Sequence, residues 1–158
     1  MSSKGQSLLR IITTLAMVIT PTVFAQGTNA KELVLIPSFD PSTAVVIGTT
    51  GGTYSFSAIA NQDHNGNACI GYGDINPDHT LTLEQNFSQL TLAVNSRGRD
   101  TTLVIKRPDG KIYCDFGSRS QSDAVITAEN WKTGEYQVWV GSINANQRIN
   151  YSLSASEE

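Results

Sequence analysis

The chain has 158 residues, 39% of them hydrophobic and 16% charged, with a formal net charge of −3. That length suffices for one domain with a sizeable core, and the acidic balance argues against nucleic acid or an anionic membrane surface as a partner. Two cysteines and two histidines leave little material for a soft-metal site or for base catalysis.

The first 25 residues carry Lys4 and Arg10 and no acid, then an apolar run of about ten residues, then the small residues Val23 and Ala25 flanking Phe24. This is the layout of a secretory signal peptide, with cleavage expected before Gln26. So short an apolar run cannot cross roughly 30 Å of hydrocarbon, which needs about twenty residues. Losing Lys4 and Arg10 takes the formal charge to about −5. The mature chain is therefore expected to be soluble and exported, periplasmic or extracellular, with no membrane insertion once the leader is removed.

Residues 26–42 read as an N-terminal tail with a lead-in strand, and 43–158 as the domain. Through that domain apolar residues recur with period two and never with a helical period. "GTYSFSAIA" sets Tyr54, Phe56 and Ala58 on one face, and "HTLTLEQ" sets His79, Leu81 and Leu83. The pattern continues with Leu90, Leu92 and Val94, with Leu103 and Ile105, with Tyr136, Val138 and Val140, and with Ile149, Tyr151 and Leu153. Turn clusters such as "NQDHNGN", "NSRGRD", "RPDG" and "INANQ" separate these runs. About seven to nine short strands of this kind describe an all-β antiparallel sandwich, and a small closed barrel fits almost as well.

In an oxidising compartment Cys69 and Cys114 read as one disulfide. Closing a loop of about 45 residues would stabilise the fold by roughly 4 kcal/mol. No catalytic residues are assigned. His64 lies among turn formers, His79 shares a face with leucines, and neither Gly-x-Ser-x-Gly nor His-Glu-x-x-His occurs. Asp100 and Asp115 flank the strands around the Pro108–Asp109–Gly110 turn and are the candidate calcium ligands. Asp109 belongs to the turn itself. Trp131 and Trp139 are the candidate binding residues, as exposed platforms for a sugar ring or a partner protein. The alternative is that Trp131 plugs one end of the sandwich and a loop covers Trp139.

The run from Cys69 to Phe116, with Pro108, Asp109 and Gly110 and then Asp115, followed by Gly134, Tyr136, Val138 and Val140 and the closing Tyr151 and Leu153, resembles the bacterial pre-peptidase C-terminal domain family. The resemblance implies a jelly-roll β-sandwich without catalytic activity, associated with secretion, with attachment to substrates or surfaces, and in some members with calcium. This chain departs from the family in carrying no protease domain, and Phe116 and Arg119 interrupt the acids that follow Cys114. The expected function is that of an exported, non-catalytic binding module for a protein or cell-surface partner. A carbohydrate-binding module built on the tryptophans is the alternative, and a small secreted hydrolase the least favoured reading.

Overall fold

The computed structural model describes residues 31–117 and 123–157, so the expected leader lies outside the described residues. Within them are eleven strands: β1 (Lys31–Leu35), β2 (Val45–Thr49), β3 (Tyr54–Ser55), β4 (Tyr72–Gly73), β5 (His79–Leu83), β6 (Phe87–Asn95), β7 (Thr101–Lys106), β8 (Ile112–Phe116), β9 (Val125–Trp131), β10 (Gly134–Ser142) and β11 (Asn150–Glu157). A single 3₁₀ turn, Phe56–Ala58, follows β3.

The strands form two sheets, which settles the architecture as a sandwich. The larger sheet runs β1-β5-β10-β4-β3, with β7 on the other side of β10 and β8 beyond it. β10 is long enough to serve several neighbours: Gly134–Val138 pair with β5, Gln137–Ser142 with β7, and Ser142 also with Tyr72 of β4. The smaller sheet runs β2-β11-β6-β9. The lead-in strand is a full member of the larger sheet. It pairs parallel with β5, Lys31 beside His79 and Leu35 beside Leu83, where the sequence pattern suggested antiparallel pairing throughout. The chain passes from β1 in one sheet to β2 in the other, so no hairpin ties β1 to its neighbour.

Where alternation was clean, the inward residues are those the pattern indicated. Leu81, Leu83, Leu90, Leu92, Leu103, Ile105, Tyr136, Val138, Val140, Tyr151 and Leu153 all lie in the core between the sheets. "GTYSFSAIA" behaves differently. Only Tyr54 and Ser55 are strand, and Phe56 turns into the 3₁₀ segment with its ring fully buried. That ring lies over Gly73 and Gly141, where a Cβ would stand 2.6 and 2.5 Å from it.

Phe56 belongs to a second, smaller core on the outer face of the larger sheet, with Cys69, Val104, Cys114 and Trp139. Val104 is the register partner of both Trp139 and Cys114, so these three stand in one row across β10, β7 and β8. The segment from Phe56 to Cys69 crosses over that row and is fastened there by the Cys69–Cys114 disulfide, whose Cα atoms are 5.2 Å apart. Asp63 anchors the middle of the segment by accepting from the backbone of Asn65, Asn67 and Cys114. Burial would raise its pKa, but these bonds and one from the Asn67 side chain outweigh it and hold the carboxyl below its ordinary value.

Candidate functional site: a cationic cleft at one end of the sandwich

The starts of β1, β5 and β11 and the ends of β2 and β6 meet at one end of the sandwich, around a cleft of about 1180 Å³. Its floor joins the two sheets. His79 of β5 and Tyr151 of β11 share a hydrogen bond, Nε2 to the hydroxyl, of 2.9 Å, with the rings edge to face. Tyr151 fits because its register partner is Gly48, where a Cβ would stand 2.3 Å from the hydroxyl oxygen. His79 is 2% exposed, and burial lowers its pKa to about 4. Its Nδ1 lies near the Lys31 backbone but outside hydrogen-bonding geometry. Burial likewise pushes the Tyr151 hydroxyl upward, with the charge of Asp78 adding to it.

The rim is basic. Lys31, Arg97, Arg99 and Arg148 line the cleft, and Asp78 is the one acid among its lining residues. These are half of the eight described lysines and arginines, against one of thirteen described acids, in a chain whose net charge is negative. Among the described residues no carboxylate pairs with any of the four; the salt bridge of 3.4 Å, Arg107 to Asp109, lies elsewhere. Burial raises Asp78 to about 6, the Val140 N–H donating to its Oδ2 at 2.9 Å opposes this, and the nearby charge of Asp74 reinforces it.

Each arginine is carried by a loop with its own clamp. Between β6 and β7 the chain takes positive φ at Arg97 and Gly98. Asp123 holds this loop, accepting from the N–H of Ser96 at 2.9 Å, from the N–H of Gly98 at 3.4 Å, and from the Ser96 hydroxyl. The Ser96 hydroxyl also bonds the N–H and carbonyl of Arg99. Between β10 and β11 the hydroxyl of buried Thr50 donates to the Gln147 carbonyl at 2.6 Å and accepts from the Ile149 N–H at 2.9 Å, fixing the backbone on both sides of Arg148. At the third side the Lys31 ammonium donates to the Ile47 carbonyl. The loop backbones that carry the three arginines are thus held by other residues' side chains, which preorganises the loops.

The residues singled out in the sequence lie elsewhere. Trp131 is fully buried in the main core, stacked on Tyr113 and tilted against Tyr136, with its indole N–H donating to the Ala128 carbonyl. Trp139 is 6% exposed beneath the disulfide-fastened segment, its indole N–H directed to the Ile75 carbonyl. Neither ring has a free face, so the expected stacking platform is not there: one tryptophan fills the core and the other is covered. Asp115 accepts from the Val125 N–H at 2.7 Å. Its register partner is Leu103, three residues from Asp100 and so about 10 Å along the strand. The two carboxylates are not brought together, and among the described residues no group of three or more His, Cys, Asp or Glu is placed to hold a metal ion. His64 donates from Nδ1 to the Ile112 carbonyl and packs edge-on to Tyr113.

No protein-family model and no curated protein matches the sequence. Among solved structures the chain is similar to the pre-peptidase C-terminal domain of a collagenase from Bacillus anthracis, with 14% identity and a TM-score of 0.43, covering 80% of this chain and 96% of that one. It is also similar to CorA, a surface-associated copper-binding protein of Methylomicrobium album BG8, with 13% identity and a TM-score of 0.47, covering 82% and 99%. The first is a domain of the kind the sequence resembles. Likenesses this distant say nothing of ligand or activity, which have to be read from the chain's own residues.

Proposed function

We propose that the protein is an exported, non-catalytic binding module whose working surface is the cationic cleft, and that its cell-surface or protein partner is anionic there. The observation that carries this is the segregation of charge: four cations, three on loops and Lys31 at the start of β1, with no carboxylate partner among the described residues, around one cleft of a chain whose net charge is negative. Such an arrangement repels its own kind and focuses a positive field where an anion can reach it. The disulfide fits an oxidising compartment.

A non-catalytic role fits the state of the cleft histidine. His79 is buried with a depressed pKa and committed to Tyr151, so it is not poised as a base near neutral pH. The test is chromatography of the mature protein on a sulfonated matrix at pH 7 and low salt. Retention despite a negative net charge, lost in the triple variant Arg97→Gln, Arg99→Gln, Arg148→Gln, is the expected result. Passage of the wild-type protein without retention refutes the proposal.

A further inference from the structure

Resting on that reading, we infer that the cleft takes an acidic polysaccharide, a chain of uronate sugars whose carboxylates meet the arginines while the hydroxyls between them meet the cleft's carboxamides. Three features of the lining lead there.

Lys31, the Arg97 and Arg99 pair, and Arg148 reach the rim from three separate parts of the chain. A ligand with charges repeated along its length can engage several of them at once. Guanidinium groups also present planar forks that match planar carboxylates.

Between the cations the lining donates. The Oδ1 of Asn150 accepts from the Thr49 hydroxyl, and the Oδ1 of Asn95 accepts from the Arg97 N–H, so in each of these lining carboxamides the NH₂ stays outside that pairing. The site is rich in donors, which suits a ligand rich in hydroxyl, ring and carboxylate oxygens. Its apolar lining is Ile47, Gly48, Ile149 and the Tyr151 ring, the last two buried, so Ile47 is the exposed aliphatic side chain it offers.

The backbone donors that would cradle a phosphate are already taken. In the β6–β7 loop the N–H groups of Ser96 and Gly98, which would form such a nest, both point at the Asp123 carboxylate. An internal carboxylate fills the position a phosphate would need in that loop, which leaves side-chain donors for an outside ligand there.

The experiment is calorimetric titration of the mature protein with polygalacturonate, poly-L-glutamate, polyphosphate and neutral dextran at one low ionic strength. Polygalacturonate should bind, dextran should not, and Arg148→Gln or Arg97→Gln should weaken binding by about tenfold each. Asn150→Ala should weaken polygalacturonate binding by a larger factor than it weakens binding of poly-L-glutamate, which separates hydroxyl recognition from charge. If poly-L-glutamate or polyphosphate binds as tightly as polygalacturonate and with the same arginine dependence, the uronate assignment is overturned and the anion-binding reading stands. If no polyanion binds in an arginine-dependent way, both are overturned.

Discussion

Replacing Asp78 with asparagine should make the protein lose stability on acidification from pH 6.5 to 4, a range over which the wild type should hold nearly level. Two neighbouring groups titrate in that window with opposite effect. Asp78 has its folded pKa raised to about 6 from 3.8, so on acidification the folded chain takes up this proton first, and stability rises as the pH falls from about 6 to about 4. His79 has its folded pKa lowered to about 4 from 6.5, so the unfolded chain takes up that proton first, and stability falls over almost the same interval. Each displacement corresponds to about 3 kcal/mol, so the two nearly cancel. Asp78→Asn removes the compensating gain and should expose a loss of about 3 kcal/mol between pH 6.5 and 4, and His79→Gln should expose a gain of similar size. Urea denaturation across a pH series reads both slopes directly. A wild-type slope already as steep as that of Asp78→Asn would refute the opposition of the two groups.

The double variant Cys69→Ser, Cys114→Ser should lose roughly 4 kcal/mol by the loop-closure argument, seen as a melting temperature lower by about 10 °C or more; an unchanged value would show that the segment holds without its fastening. Gly141→Ala places a Cβ 2.5 Å from the Phe56 ring and 2.5 Å from the Tyr72 carbonyl. Because one neighbour is backbone, the variant should lose about 1–3 kcal/mol in urea denaturation, and a neutral result would mean that β4 can move away.

The sandwich was legible in the strands whose two faces differ. β5, β6 and β11 alternate buried and exposed along their length, and their apolar residues mark the inner face. β2 was not, because it is an edge strand with Val45 and Ile47 turned outward, Ile47 64% exposed, while its inward positions are a partly buried Val46 and, opposite Tyr151, a glycine. The strand expected over "GTYSFSAIA" failed for a tertiary reason, the slot that Gly73 and Gly141 make for Phe56. The disulfide followed from the cysteine count and compartment, and it forms. The tryptophans misled because alternation reports which side of a strand a residue faces and not whether that side is covered; Trp139 does face outward, under a segment that is far away in sequence. The cleft was the least visible feature. Lys31, Arg97, Arg99 and Arg148 form no run; Arg97 and Arg99 stand in the turn cluster "NSRGRD", and Arg148 directly follows "INANQ". The available signal was that cations in an acidic chain recur at these two turns, and only the topology shows that the turns share an end.

The position of the last two strands bears on how the molecule is made. β10 sits between β5 and β7 in one sheet, and β11 sits between β2 and β6 in the other. As the polypeptide emerges N-terminus first, β2 and β6 have no shared neighbour, and β5 and β7 none either, until residues 134–157 are available. Every layer therefore waits for the tail, and its pairings span long stretches of sequence, which makes closure slow. A chain built this way stays open until residues 134–157 arrive, and only then becomes a compact body.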